Sequence, residues 1–263
     1  MSFIERFKNT YTIIPIHIFG IMGVYNICTG AAPSWWWLAV IVGYICLKML
    51  GIGALYHRML SHMAFETPRI IKQFALWCAC VSGQGSPIFW VATHRGGHHR
   101  FSDKAGDPHS PHEGFWHSYF LWLYTIDYNK INYKSAVNVL RDKDCMFVHN
   151  HYNKIFILSH LTVALISFPF WLYFMMVPAL ITFHSFALQS SVVHYTKLGY
   201  KNYELADDSV NVPWLWPITT GECWHNNHHA DPKNINFGHK HWWELDPTYW
   251  LILLIQTKTT KTT

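Results

Sequence analysis

The chain contains two long stretches without a charged residue. No Asp, Glu, Lys or Arg occurs from Asn9 to Leu47 or from Ile155 to Thr196, stretches of 39 and 42 residues. A helix that crosses a bilayer needs about 20 consecutive apolar residues. Each stretch is therefore long enough for two crossings joined by a turn.

This pattern predicts an all-α, multi-pass membrane protein with four transmembrane helices in two hairpins. The first hairpin is expected over residues 10–56 with its turn near Thr29–Ser34, and the second over residues 154–196 with its turn near Ser167–Pro178. The polar sequence "GQGSP" interrupts a further apolar segment, Ile70–Ala92. We expect that segment to take a shallow or re-entrant path, because irregular backbone is tolerated at membrane depth where protein covers it.

The distribution of basic residues sets the expected orientation. Nearly all Lys and Arg lie in the first eight residues, in residues 57–153 and in residues 197–263. The positive-inside bias places these segments and both termini on the cytoplasmic side. A signal peptide is the alternative at the N-terminus, but the apolar run exceeds a signal core of about 7 to 15 residues.

Composition agrees with a single membrane domain over residues 1–263. The chain is 51% hydrophobic, 17% aromatic and 13% charged, which is more apolar than a typical soluble domain. The net charge of +5 is spread along the chain and fits contact with anionic lipid rather than nucleic acid. Six cysteines form no CxxC pair and are expected to be free thiols.

Histidine is concentrated outside the apolar stretches. The chain carries 19 histidines, and three clusters read "HRMLSH", "HRGGHH" and "HNNHH". The first two clusters fall in residues 57–153 and the third in residues 197–263, so we expect a histidine-rich cytoplasmic cap. With the histidine that closes the second hairpin, the candidate metal ligands are His57, His62, His94, His98, His99, His194, His225, His228 and His229.

Nine histidines are too many for one ion, since zinc takes four ligands, or three with a water. Two metals are therefore expected. Residues three or four apart share a side of an α-helix, so His225 and His229, or His94 and His98, could each hold one ion. Adjacent histidines such as His98 and His99 point about 100° apart and could serve two neighbouring ions.

The expected position of the site favours iron. Imidazole ligands alone suit iron, zinc, copper or nickel. A metal pair at the mouth of a lipid-facing bundle is positioned for chemistry on an acyl chain, and the attack of O2 on an unactivated methylene calls for iron. Hydrolytic zinc chemistry would need a motif such as HExxH, which does not occur. A non-enzymatic membrane metal or haem protein is the remote alternative.

The sequences "GIGALYHRMLSH", "HRGGHHRFSDKAGDPHSP" and "GECWHNNHHADP" together resemble the membrane-bound fatty acyl desaturases, particularly the stearoyl-type Δ9 branch. The resemblance runs from about Gly51 to Asp246 and includes "WWELDPTYW". It implies an O2-dependent enzyme with a non-haem di-iron centre that introduces a cis double bond into a long-chain acyl group. The carrier would be CoA, a carrier protein or a glycerolipid, in a bacterial inner membrane or the endoplasmic reticulum.

Two electrons must then come from outside the chain. It has no GxGxxG, CxxCH or HPGG motif for a flavin, nicotinamide or haem, so we expect a separate ferredoxin or cytochrome b5. A sister oxygenase on the same scaffold, an acyl hydroxylase or acetylenase, is the alternative function. The resemblance also implies two ligand sets: one iron with His57, His62, His94, His99 and His228, and the other with His98, His194, His225 and His229.

Several other residues acquire roles through the resemblance. Trp90 is similar to a tryptophan along the acyl tunnel of the family, with an aromatic residue at the membrane interface as the alternative. Asp103 and Asp107 resemble acids that orient imidazoles, and solvated loop acids are the alternative. Asn226 and Asn227 would act similarly or cap the local turn.

The chain departs from the family pattern in three places. The second box is His-x-x-x-His-His, one residue longer than usual, which puts the pairing of His94 in doubt. Ser190 replaces an asparagine that often reaches iron through water, and Gln189 is adjacent. The segment "WHSYFLW" departs from the family's small-residue and histidine pattern. The other histidines are expected to be surface or core residues: 17, 109, 112, 117, 149, 151, 160, 184, 239 and 241.

Overall fold

A computed structural model describes residues 11–259 of the chain. Within that range the regular structure is almost wholly helical, in agreement with the all-α prediction. Its strands are the antiparallel two-residue pair Phe65–Glu66 and Lys258–Thr259. The two termini, which are predicted to be cytoplasmic, lie outside the described residues.

The first predicted hairpin is a pair of helices. Helix α1 (Ile13–Cys28) has Thr29 as its C-cap residue. Helix α2 (Trp36–Ser61) follows the expected turn. Gly30 has a φ of 73°, which a residue without a Cβ adopts readily. Helix α2 is α-helical to Tyr44 and π-helical from there, and it continues five residues beyond the predicted limit at 56. His57 therefore lies on this helix, and His62 directly follows it.

The segment that is predicted to be re-entrant consists of two helices, and it brings the chain back to the end of α2 that carries the first box. Helix α3 (Arg69–Val81) packs along α2, and helix α4 (Pro87–Thr93) begins after a break in which Gly83 and Gly85 have positive φ. The chain continues as a π-turn over His94–His98 and one α-turn over His99–Phe101.

The second predicted hairpin is formed by α5 (Lys143–Ile166) and α6 (Phe168–Val192), but its turn is shorter than expected. Ser167 alone breaks the helix, and Pro178, predicted to belong to the turn, lies inside α6. A π-turn over Leu172–Met176 directly precedes that proline. Because proline has no N–H and clashes with the previous turn of an α-helix, a wider turn accommodates it.

Small residues bring three of these helices into close contact. A Cβ placed on Gly43 of α2 would lie 2.1 Å from the carbonyl oxygen of Phe174 in α6. Equivalent atoms on Gly20 and Gly23 of α1 would lie 2.8 Å and 2.4 Å from Leu180 and Val177. Such small residues allow backbones to approach closely in membrane bundles.

Two helices in the described range are long and apolar enough to cross a bilayer. They are α2, with 26 residues and a mean hydropathy of 2.2, and α6, with 25 residues and a mean hydropathy of 1.5. Helix α1 is apolar but has 16 residues. The four-crossing arrangement stays a prediction.

The remaining elements form a cap over one end of the bundle. Helix α7 (His225–Ala230) carries the third histidine box, and helix α8 (Pro247–Ile255) packs against α2. The largest hydrophobic core draws residues from α1 to α6. The short helices are Pro111–Glu113, Tyr128–Lys130, Tyr133–Ala136, Thr196–Leu198 and Pro213–Leu215 (3-10), His117–Leu121 (π), and Trp122–Thr125, Val137–Leu140 and Trp216–Thr219 (α).

Candidate metal centre

One group of imidazoles converges where α2, the second box and α7 meet. The ring nitrogens that face one another lie 3.0 to 3.1 Å apart in three pairs, among them Nε2 of His62 and Nε2 of His94. A neutral imidazole has a hydrogen on one ring nitrogen and a lone pair on the other. Facing nitrogens with lone pairs can therefore share a cation. The first cluster consists of His57, His62, His94, His99 and His228, whose ligand atoms all lie within 4.8 Å of one another.

A second group lies beside the first. Nε2 of His225 is 3.1 Å from Nε2 of His194. Nε2 of His229 is buried and has no hydrogen-bond partner, an arrangement that costs free energy unless another ligand satisfies the nitrogen. The second cluster consists of His98, His194, His225 and His229, again with ligand atoms within 4.8 Å.

Local π-helical structure sets the spacing of the first two boxes. In a π-turn the backbone hydrogen bond joins residues five apart. Such a bond runs from the N–H of His62 to the carbonyl of His57 at 3.2 Å, and another from His99 to His94. The extra residue of the second box is therefore absorbed as one π-turn, and His98 and His99 still point into different clusters.

α-Helical spacing would allow two pairs of histidines to hold one ion each. His94 and His98 lie in different clusters, because the segment between them is a π-turn. His225 and His229 share the second cluster, as the spacing of an α-helix predicts.

Carboxylates lie behind four of the nine imidazoles. A carboxylate that accepts the Nδ1 hydrogen fixes the tautomer and leaves the lone pair of Nε2 for a metal. The pairs are His57 with Glu222, His98 with Asp107 at 2.9 Å, His194 with Asp103 at 2.8 Å, and His229 with Asp207 at 2.9 Å.

Asp103 and Asp107 are not solvated loop acids. Their side chains are 7% and 0% exposed. Burial alone would raise the pKa of the Asp107 carboxyl, but the neighbouring charges of His98 and His109 hold it well below its usual range. The carboxylate is thus ionised beside the second cluster.

Asn226 and Asn227 do not contact the clustered imidazoles through the hydrogen bonds seen in the described residues. The Asn226 amide donates to the carbonyls of Tyr203 and Ser209. The Asn227 amide donates to the carbonyl of Phe237 and to Glu244. These two side chains fasten the third box to the loops around it.

The family model described as fatty acid desaturase matches residues 33–256. The chain belongs to the fatty acid desaturase family. It is 33% identical to acyl-CoA 5-desaturase AL21 of Anemone leveillei, over 91% of this chain and 76% of that protein. It is 32% identical to delta-9 acyl-lipid desaturase 1 of Arabidopsis thaliana, over 92% and 80%. The sn-1 stearoyl-lipid 9-desaturase of Anabaena variabilis is 34% identical, over 79% and 75%.

Four charged residues of the desaturase site were not found from the sequence. Glu222 and Asp207 accept from cluster imidazoles, and the buried Arg58 donates to both Glu222 and Asp246. Arg58 and Glu222 lie inside the histidine motifs, and this position in the sequence could have identified them as site residues. Asp207 lies in the acidic loop "ELADDSV", where neighbouring acids conceal it.

A cavity of about 250 Å³ extends away from the clusters. Trp90 and His94 line it at the end nearest the histidine clusters, and Tyr11, His149 and Asn153 line it farther away. The Trp90 ring is 5% exposed and lies 4.8 Å from the ring of His94. Trp90 is therefore a buried residue of the cavity wall.

A small cavity of about 20 Å³ separates Trp90 from the second cluster. Gln189 and Ser190 line it. The Ser190 hydroxyl donates to the carbonyl of Phe186 at 3.0 Å, whereas Oε1 of Gln189 is buried without a hydrogen-bond partner. Of these two side chains, Gln189 is the one with a buried polar atom that lacks a hydrogen-bond partner.

Two histidines outside the boxes differ in their surroundings. His109, expected to be an ordinary core or surface residue, is buried against His98 with ring centroids 4.5 Å apart and lines both cavities. His184 lies outside both clusters, and its Nδ1 is 2.9 Å from the hydroxyl of Tyr119.

Proposed function

We propose that this desaturase is an O2-dependent fatty acyl desaturase that introduces a cis double bond at a Δ9-like position by means of a non-haem di-iron centre. The observation that carries the proposal is the pair of adjacent imidazole clusters at the end of a largely buried cavity. A reaction at an unactivated methylene needs such a combination of redox metal and oriented chain.

The donor set fits two iron ions. Nine imidazoles with no cysteine among them suit divalent iron by ligand type. The orphaned Nε2 of His229 and the facing Nε2 atoms elsewhere are the positions that two ions would satisfy. Iron bound there would supply the activation of O2 for removal of two hydrogens from adjacent methylenes.

The protein's own residues orient both the ions and the chain. Glu222, Asp107, Asp103 and Asp207 hold imidazole rings from behind and fix the nitrogen that faces each ion. Trp90 forms the wall of the cavity next to His94, so a chain that enters the cavity passes the first cluster at a fixed distance. The distance from the anchored head group to the ions along the cavity would set the position of the double bond.

The expected substrate is a long-chain acyl group carried by CoA, a carrier protein or a glycerolipid. The names of the relatives describe action on acyl-CoA and on acyl lipids. Near Trp90 the cavity is lined mainly by apolar and aromatic side chains, including Phe183, Phe186 and Trp122, which suits methylenes. An external ferredoxin or cytochrome b5 would supply two electrons.

We place the centre on the cytoplasmic side of a membrane crossed four times. His57 and His62 lie at the end of α2, and His194 lies two residues after the end of α6, so these two apolar helices deliver ligands at one end. Basic residues lie mainly outside the apolar stretches, which favours the same orientation.

Expression in a desaturase-deficient host that supplies electrons tests the proposal. Total fatty acids are analysed by gas chromatography with mapping of double bonds. A new cis-monounsaturated acid supports desaturation and gives its position. Hydroxylated or acetylenic chains would assign the protein to the sister oxygenases.

Matched variants connect the product to the clusters. His225→Ala removes a ligand and is expected to abolish both bound iron and product. His151→Ala, on helix α5 outside both clusters, is the control and should retain iron. Full iron content and full turnover in His225→Ala would refute the assigned ligand set.

A further inference from the structure

A third group of potential ligands lies at the surface beside the second cluster. It consists of Asp103, His112 and Asp208, whose ligand atoms lie within 4.8 Å of one another. Nε2 of His112 is 3.1 Å from Oδ2 of Asp208 and 3.6 Å from Oδ1 of Asp103. The His112 and Asp208 side chains are 54% and 44% exposed, so ions in solution can reach the group.

Asp103 supplies an unsatisfied oxygen to this group. Its side chain is 7% exposed, and Oδ1 is buried without a hydrogen-bond partner. The other oxygen, Oδ2, is fully used, since Nδ1 of His194 and the backbone N–H of Asp208 both lie 2.8 Å from it. A buried carboxylate oxygen without a hydrogen-bond partner has lost its hydration and is stabilised by a cation.

The spacing and charge of the group match a small divalent ion. Zinc binds nitrogen and carboxylate oxygen at about 2.0 to 2.2 Å, so tetrahedral ligand atoms stand about 3.4 Å apart. The distances from His112 to the two acids, 3.1 and 3.6 Å, bracket that value. Two carboxylates and one neutral imidazole balance a charge of two, and water can complete the coordination.

We propose that Asp103, His112 and Asp208 bind a divalent transition-metal ion, with zinc the best fit, at a third site distinct from the two histidine clusters. One oxygen of Asp103 would hold this ion while the other holds His194. The site is therefore connected to the second cluster through a single carboxylate.

This connection has a regulatory consequence that rests on the proposed function. A cation on Oδ1 draws electron density from the carboxylate and weakens its interaction with Nδ1 of His194. His194 would then be held less firmly and would be a weaker donor to iron. Zinc at the third site is expected to lower the rate of desaturation without removing iron.

The binding test uses purified, iron-loaded protein titrated with zinc chloride by calorimetry, with zinc and iron contents measured afterwards. The wild-type protein should take up one zinc more than His112→Ala or Asp208→Asn, with its iron unchanged. His112→Asp, which restores an oxygen ligand, should regain that zinc. His117→Ala is the matched control, because His117 pairs with Glu113 at 3.4 Å outside the group.

Equal zinc uptake by the wild type, His112→Ala and Asp208→Asn would overturn the proposal, as would uptake that occurs only as iron is lost. Asp208→Asn is the second variant in case His112→Ala misfolds. It removes only a side-chain charge and keeps the hydrogen bond from the backbone N–H of residue 208 to Asp103. Zinc inhibition of desaturation in the wild type and not in His112→Ala would support the connection to His194. Absence of desaturation in the wild type as well as in every variant would refute the proposed function and leave the zinc result standing.

Discussion

Arg58 donates from Nη2 to Oε1 of Glu222 at 2.8 Å, and both side chains are buried. The other oxygen of Glu222 contacts Nδ1 of His57 in the first cluster. Burial alone would raise the pKa of the Glu222 carboxyl, but the charges of His57 and Arg58 lower it to about 2. Glu222 is therefore an ionised link between a buried guanidinium and a predicted metal ligand.

Glu222→Gln should weaken iron binding while retaining the shape of the side chain. The neutral amide cannot offer the Nδ1 hydrogen of His57 the negative charge of a carboxylate. Loss of such a partner costs about 10- to 100-fold in metal affinity. Iron content after competition with a chelator measures the effect. Glu66→Gln, at an exposed position outside both clusters, is the control. Equal iron retention in the two variants would contradict the role of Glu222.

The sequence predicts most of the helical framework because its signals are local. Absence of charge over 39 and 42 residues reveals apolar helices without knowledge of what they contact. The histidine boxes are local for the same reason, since each occupies one or two turns. The turn at Ser167 was predicted to extend to Pro178 because a proline usually breaks a helix, whereas the preceding π-turn accommodates it.

Residues brought in by tertiary contacts were harder to find. Asp207 lies 22 residues before His229, and nothing in its own surroundings distinguishes it from Asp208. The division of His94 and His98 between clusters depends on a π-turn that residue spacing does not reveal. Local pattern therefore supplied the candidate ligands and the family resemblance implied their division into two sets, whereas the π-turn between His94 and His98 is visible only in the folded backbone.

Gly43→Ala should destabilise the helical bundle. The added Cβ would lie 2.1 Å from the carbonyl oxygen of Phe174, so α2 and α6 must separate. Forced overpacking typically costs about 1 to 3 kcal/mol. Thermal unfolding in detergent measures the change, with Val42→Ala on the exposed side of the same helix as control. An unchanged midpoint for Gly43→Ala would show that the two helices do not approach as described.

Stability in acid should depend on the ion pairs that join α3 to the start of α5. Asp144 pairs with Arg69 at 2.8 Å and with Lys72 at 3.0 Å. The hydrogen bond from Arg69 is the main cause that holds the pKa of Asp144 below its usual range. A lowered folded-state pKa contributes stability in full above the ordinary aspartate pKa of about 3.9; that contribution declines as the pH falls below this value and is gone once the pH is below the folded-state pKa.

Asp144→Asn tests this dependence. The variant should unfold at a lower temperature than the wild type at pH 7, and the difference should shrink as the pH is lowered towards 3. Thermal midpoints measured across that range in one detergent give the comparison. A difference that stays constant with pH would show that the carboxylate contributes through shape and not through charge.

Trp90 should control where along the chain the reaction occurs. Its ring lies 4.8 Å from that of His94 and 6.0 Å from that of Phe186, so it forms the cavity wall nearest the first cluster. Trp90→Ala removes this wall and lets the chain shift. Because a misplacement of about 1 Å can cost about 100-fold in rate, the expected result is a large loss of turnover and a mixture of double-bond positions.

The readouts for Trp90→Ala separate positioning from folding. Iron content should equal that of the wild type, since the indole is not a metal ligand. Trp116→Ala, at an indole that is 62% exposed, should keep the wild-type product. A Trp90→Ala enzyme with full iron, full turnover and a single unchanged double-bond position would show that the acyl chain does not use this cavity.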